Sequence, residues 1–277
     1  MNGAGALRAS LLPGARALLA AHALELPQRD DLCGAFCGAL ALRAAGIERA
    51  GDEPIDQDTL AIAAGSIVAE ARDPGTLPEG ETGRRDYRLQ MPGIADPDIS
   101  GTTAAGVVDA IAAVSRGALV PIPLSGPWTA RTLSGIFDLA LECELAVTLI
   151  ANLATHHLWG GRPSAVQLLN QLYDGVEEGP EPDWDVGHFS CIVARADGPG
   201  GSLYTVADTY PALGNRGIHQ QPSGRLAAAI DRRDKPAGGI IAVLAEREAS
   251  RLRDGARALG LREEIWDNGT AISEAAA

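Results

Sequence analysis

Along this chain apolar residues recur every three to four positions in some stretches and alternate or cluster in others, and the two rhythms separate helices from strands. Leu7, Leu11, Leu18 and Leu19 predict a helix over about 4–23, and Pro27 stops the chain from continuing as helix. Asp30 or Asp31 then stands where an N-cap belongs, ahead of Cys33-Gly-Ala-Phe-Cys-Gly-Ala-Leu-Ala-Leu-Arg-Ala-Ala-Gly46, with Gly46 as the stop. This second helix carries Cys33 in its first turn. A third helix is expected over 58–71, and 73–100, dense in Pro, Gly and charge, reads as a long irregular surface segment.

From Thr102 onward helix and strand alternate: helix 103–115, strand 119–124, helix 128–143, strand 145–150. The segment 154–186 breaks that rhythm with His156-His157, a short helix at 164–172 and an acidic, Pro-bearing run, and it reads as an insertion beside the site. The last third offers strands at 188–196, 203–207 and 239–244, the first two joined by the turn-rich Asp197-Gly-Pro-Gly-Gly201. A helix at 246–261 precedes a tail expected to fray. The pattern describes one domain over 1–277, with a core of about 27–245, an N-terminal helix at 1–26, the insertion at 154–186 and a C-terminal helix and tail at 246–277.

Composition then narrows the possible partners. The 277 residues carry 23 Lys+Arg against 36 Asp+Glu, a formal charge of −13, with no basic stripe. Such a surface repels phosphate backbones and anionic lipid, so neither nucleic acid nor membrane is expected, and cationic peptides or amines are the better steered substrates. The longest apolar run, near 145–151, falls short of the roughly 20 residues that span a bilayer. Arg8, Arg16 and His22 interrupt the Ala/Leu-rich start, against a signal peptide. Four cysteines in a chain of this size fit free thiols in a reducing cytoplasm. Arginine and alanine abound while Lys235 is the single lysine, the signature of a GC-rich bacterial genome. The sequence leaves the oligomeric state open.

Three features carry chemistry. Gln28 lies five residues before Cys33, His188 opens a strand, and Asp208 ends the next one. A cysteine at a helix start sits at the positive end of the dipole, which favours the thiolate that attacks a carbonyl. A histidine on a neighbouring strand can pair with that thiolate and protonate the leaving group, and an aspartate beyond it orients the ring. The Gln28 amide, with the Cys33 backbone N–H, can donate to an oxyanion, a contribution of about 2.7–4 kcal/mol per donor in analogous sites. Alternation along the strand puts His188, Ser190 and Ile192 on one face and Phe189, Cys191 and Val193 on the other.

Competing readings are weaker. Cys37 shares a face with Cys33 but lies too far from Gln28, and buried packing suits it, as it suits Cys143 and Cys191. Zinc on Cys33, Cys37 and His156 or His157 would need a knuckle spacing that Cys-x3-Cys inside a helix lacks, so no metal is expected. Asp52, Asp56 and Asp58 lack the glycine and terminal glutamate of a calcium loop and read as a solvated loop and helix cap. No glycine cluster forms a phosphate cradle. His22, His219 and the pair His156-His157 read as structural. Trp128 and Trp159 read as packing, and Trp184, four residues before His188, is the candidate to shield the site.

Taken together, Gln28-Arg-Asp-Asp-Leu-Cys33-Gly-Ala-Phe-Cys37, Gly187-His188-Phe-Ser-Cys-Ile-Val and Val206-Ala-Asp208-Thr-Tyr-Pro211 resemble the papain-like cysteine peptidases of the C39 (bacteriocin-leader-processing) type and their C39-like relatives. The resemblance spans about 27–244. It implies an α+β fold of papain-like (C39-like) kind, with an N-terminal nucleophile helix and further helices packed on a C-terminal antiparallel sheet. It implies a Cys33-His188-Asp208 triad with Gln28 at the oxyanion, Gly187 and Trp184 at the substrate, no cofactor, and a peptide or small amide or thioester as substrate. The chain departs from the family where Thr209-Tyr210 separates Asp208 from Pro211, and 154–186 has no family counterpart. The same triad would serve an acyltransferase forming an amide, and the same cleft a non-catalytic C39-like module that binds peptide.

Overall fold

Side-chain oxygens mark where several helices begin in this computed structural model, which describes residues 6–71 and 74–272. Thr103, Thr129 and Ser164 each accept from a first-turn N–H, two of them as full capping boxes. In chain order the elements are β1 (Arg8–Leu11), α1 (Ala15–Glu25), α2 (Cys33–Ala44), β2 (Arg49–Ala50), β3 (Glu53–Pro54), α3 (Gln57–Ala63), β4 (Val68–Ala69), β5 (Gly93–Ile94), α4 (Ala104–Val114), β6 (Leu119–Ser125), α5 (Ala130–Leu141), β7 (Thr148–Ala154), α6 (Ala165–Asp174), β8 (Gly187–Asp197), β9 (Ser202–Ala207), β10 (Ile218–Pro222), α7 (Ser223–Asp231), β11 (Gly239–Ala245), α8 (Glu246–Ala258) and β12 (Arg262–Glu263).

The chain is α+β, built on an antiparallel sheet in the order β10-β9-β8-β7-β11-β6-β12, with β1 added to β8. Both β6 and β7 run antiparallel to β11, which lies between them, so the helix and strand alternation through α5 is a crossover into which a later strand inserts. Every residue of β7 is buried, which requires cover on both faces; α2 and α7 supply it. Strand β8 turns Phe189 toward Gly34 and Cys191 toward Cys37, both on α2. No helix among the described residues is long and apolar enough to cross a membrane.

Several local expectations are corrected. The helix expected over 4–23 begins only at Ala15, because Arg8–Leu11 pairs with β8 (Arg8 opposite Asp197) and Pro13-Gly14 turns the chain; residues 4 and 5 lie outside the described residues. Gly14 is required there: its φ is +84°, and a Cβ would stand 2.6 Å from Ala146 Cβ. The third helix stops at Ala63 instead of reaching 71, with Gly65 at φ +62° ahead of β4. Strand β7 runs from Thr148 to Ala154, shifted from 145–150. Strand β10 and helix α7 were not expected, since His219-Gln-Gln-Pro-Ser-Gly-Arg225 shows no apolar rhythm. The sheet is not confined to the C-terminal part, because β1 and β6 belong to it. The tail expected to fray is held as far as Ala271, by β12 on β6, by buried Trp266 donating Nε1–H to Asn152 Oδ1 at 3.0 Å, and by Ala271 N–H to the Ile99 carbonyl at 2.9 Å. Residues 273–277 lie outside the described residues.

Candidate active site

Helix α2 is apolar except for Arg43 and almost wholly buried, and its first residue, Cys33, holds a half-buried thiol. Gly34 lets the helix start come close to its neighbours: a Cβ there would lie 3.0 Å from Thr102 Cβ and from Val107 Cγ2. The N-cap position is Leu32, which offers no side-chain acceptor. Asp30 and Asp31, expected as caps, act as staples. Asp31, at φ +66°, accepts the Ala69 N–H at 2.8 Å, and Asp30 accepts the Arg84 N–H at 2.7 Å. Asp58 is not solvated as expected but fully buried, paired with Arg29 at 2.9 Å, while Asp56 does cap α3. Together these ties anchor the loop that delivers Cys33.

His188, at the start of β8, and Asp208, just past β9, meet because β8 and β9 are antiparallel neighbours. His188 Nε2 lies 3.0 Å from Asp208 Oδ1, which also accepts the Thr209 N–H at 2.7 Å. The other carboxylate oxygen is served by a residue read as structural from the sequence. Gln221 is clamped by the Trp159 backbone, N–H to Oε1 at 2.7 Å and Nε2 to carbonyl at 2.9 Å, so its amide donates to His219 Nδ1 at 3.0 Å. That leaves the His219 proton on Nε2, pointed at Asp208 Oδ2 3.3 Å away. His22 Nε2–H completes the set by donating to the Asp208 carbonyl at 2.5 Å.

The electrostatics follow from this packing. Burial, the largest single influence on His188, opposes charging it; the charge and hydrogen bond of Asp208, with the Cys33 thiol as a further hydrogen-bond partner, outweigh burial and push the imidazole up to about 10. Burial would raise Asp208, but His188 and His219 reverse that and hold the carboxyl far below the usual carboxylate range. With Nε2 turned to Asp208, Nδ1 is the ring nitrogen left for the thiol. Burial, with Cys191 alongside, pushes the Cys37 thiol well above its ordinary value, and burial takes Cys143 up to about 11.

Gln28 reaches the same place, tied in by Thr209 and Tyr210. Its Nε2 donates to Tyr210 Oη at 2.8 Å, its Oε1 accepts from Thr209 Oγ1, and its backbone N–H donates to the Thr209 carbonyl at 3.0 Å. The departure Thr209-Tyr210 is thus the link between the glutamine and the His-Asp pair. Trp184 covers that pair, its ring 4.7 Å from the His188 ring and 5.6 Å from that of Tyr210, with Nε1–H on the Thr76 carbonyl at 2.9 Å. Gly187 leaves room for Arg232, whose Nη2 would stand 2.9 Å from a Cβ. Gln28, Cys33, Trp184, Gly187 and His188 all line one cleft of about 500 Å³. The cleft thus gathers a thiol, an imidazole and a carboxamide. No periodicity marked His219, Gln221 or Arg232; each gains its place only through strand pairing or the turn after α7.

The pair His156-His157 gathers on Asp234 and not on Cys33 and Cys37. His156 Nε2 and His157 Nε2 lie 2.7 and 3.2 Å from the two oxygens of Asp234, and potential ligand atoms of the three residues fall within 4.8 Å of one another.

Compared with known proteins, the chain matches DUF6885, a family of unknown function, over residues 12–267. No curated protein matches it. Among solved structures, digestive procathepsin L 3 from the larval midgut of Tenebrio molitor aligns at 15% identity with a TM-score of 0.28, covering 83% of this chain and 60% of that one.

Proposed function

We propose that this chain, which belongs to the DUF6885 family of unknown function, is a papain-like, C39-like cysteine hydrolase of amide or thioester bonds. Cys33 is the nucleophile, His188 the acid and base, Asp208 the residue that orients and charges the imidazole, and Gln28 an oxyanion donor. One observation carries the reading: a buried imidazole bonded to a carboxylate through Nε2 at 3.0 Å lines the same cleft as the Cys33 thiol, which stands at the start of a helix. The arrangement lets the Cys33 sulfur attack the carbonyl carbon while the oxyanion takes the second Gln28 N–H and the Cys33 N–H. His188 then gives its proton to the leaving amine or thiol as the bond breaks. Water, losing a proton to the same imidazole, hydrolyses the acyl-enzyme and restores the thiolate and imidazolium. Trp184 and Tyr210 keep bulk water from the His188-Asp208 pair, which strengthens their interaction.

The test is site-resolved alkylation. Iodoacetamide near neutral pH, followed by peptide mass spectrometry, is expected to modify Cys33 at least about 100 times faster than Cys37, Cys143 or Cys191, since thiolate character and access set the rate. Turnover of a fluorogenic peptide-amide library is expected to vanish in Cys33→Ala. Equally slow labelling of all four thiols would remove the basis of the proposal.

A further inference from the structure

Arg232 ends α7 in the left-handed region, φ +45°, and its side chain turns into the cleft beside Gly187. It is 3% exposed and pairs with no carboxylate among the described residues, whereas Arg233 and Lys235 are bound to Asp231 and Asp185. Among the described residues a single neutral hydrogen bond holds the guanidinium, Nη1–H to Asn152 Oδ1 at 2.7 Å. Asn152 is itself fixed by Trp266 and by its own amide on the His188 carbonyl. Arg232 Nε is buried without any partner. Burial pulls the Arg232 pKa down, and the charged groups acting the other way are the Cys33 thiol and Asp234. Folded proteins do not leave a buried guanidinium unmatched without reason, because its dehydration is recovered only by an opposite charge.

We propose that Arg232, steadied by Asn152, is an anion-binding subsite of the cleft, and that the substrate carries a carboxylate next to the bond that Cys33 attacks. The inference rests on the reading of Cys33 as nucleophile and gives that reading a substrate class. A planar fork with free N–H groups matches a carboxylate in two-point contact, which a lysine cannot reproduce. The carboxylate comes either from a chain terminus or from an acidic side chain. The chain's net charge of −13 points toward cationic substrates at long range, but an unpaired buried cation at the reacting centre decides what is held there.

Two arms test this. The first compares iodoacetate with iodoacetamide at Cys33, taking the ratio of the two rates in each protein and in free glutathione. A charge-assisted hydrogen bond to the reagent's carboxylate is expected to lift the ratio in the native chain at least about tenfold above that of glutathione, to collapse in Arg232→Gln and to survive in part in Arg232→Lys. The second arm uses only the native protein: N-acetylglycine (terminal carboxylate), N-acetylaspartic acid α-amide (side-chain carboxylate) and N-acetylglycinamide (neutral) are scored for slowing the labelling of Cys33 by iodoacetamide. Protection by one carboxylate and not by the neutral amide identifies the source, and it stands even if the variants do not fold. Equal ratios in native and Arg232→Gln, or equal protection by all three compounds, overturn the subsite while selective labelling of Cys33 leaves the hydrolase reading intact. If iodoacetamide does not single out Cys33, both fall.

Discussion

Replacing Asp208 by Asn removes one charge and almost no volume from the centre of the site. Asp208 and His188 are 1% and 2% exposed, so water screens little of their interaction. An imidazole with an ordinary value of 6.5 is held at about 10, and at about 1.36 kcal/mol per pH unit that gap amounts to roughly 5 kcal/mol in favour of the imidazolium. In Asp208→Asn, burial acts with only the thiol against it, and His188 is expected to titrate below its ordinary value, neutral at pH 7. Two assays read this. NMR of the His188 ring should show its midpoint fall from about 10 to the acid side of neutral, and alkylation of Cys33 by iodoacetamide at pH 7 should slow by at least ~100-fold. Peptide turnover should fall further, by about 10⁴, as in triads whose aspartate is amidated. Because Gln221 locks His219 as an Nε2–H donor, the new Asn amide must face another donor, so a stability loss of about 1–3 kcal/mol is expected and is measured separately by thermal unfolding. A His188 midpoint still near 10, with labelling within threefold of the native rate, would refute the argument that the carboxylate charges the imidazole.

Gln28→Ala should lower turnover by about 10²–10³, the weight of one oxyanion donor, whereas Tyr210→Phe, which removes only the acceptor of Gln28 Nε2, should cost less than tenfold; equal losses would move the oxyanion role to the tyrosine. Gly34→Val should destabilise by about 1–3 kcal/mol through overpacking against Thr102, Val107 and Phe189, and slow Cys33 labelling as the helix start shifts; unchanged melting and labelling would show that the contact yields freely. Thermal stability should carry the signature of the buried pair. His188 is raised, so its contribution is complete below pH 6.5 and is lost as pH climbs through about 10; Asp208 is lowered, so its contribution is present above pH 3.8 and is lost on acidification. The difference in melting temperature between native protein and His188→Gln should therefore shrink from pH 6.5 to 10, and a flat or growing difference over that interval would contradict it.

Much of the molecule could be read locally. The run from Cys33 to Gly46 predicts a helix from its own residues, and α2 with Gly46 at φ +83° agrees with that reading. Strands β8, β9 and β11 declare themselves by β-branched and aliphatic runs, and the glycines between 197 and 201 declare the hairpin. Strand β1 could not be read this way, because Arg-Ala-Ser-Leu has no strand pattern and pairs only where β8 extends beyond β7. Strand β10 is polar, with His219 and Gln221 turned inward to Asp208 and the Trp159 backbone, so its burial looks like surface in one dimension. Trp266 holds a tail expected to fray because its pocket is made by Asn152, far away in sequence.

The sequence by itself determined the order of most helices and strands and the residue types around Gln28, Cys33, His188 and Asp208, because periodicity and helix-start chemistry act over a few residues, while the α+β class came from what the family resemblance implies. Only the tertiary structure decided which groups share a site and in what protonation state. The tautomer of His219 is set by a glutamine clamped on a distant backbone, and Asp30 and Asp31 staple a loop where a cap was expected. Arg232 becomes a buried cation beside Gly187, with no carboxylate partner among the described residues, only when α7 packs on β7. Charge, burial and hydrogen-bond partnership depend on residues brought together across tens to hundreds of positions, and those contacts settle which chemistry the same side chains can perform.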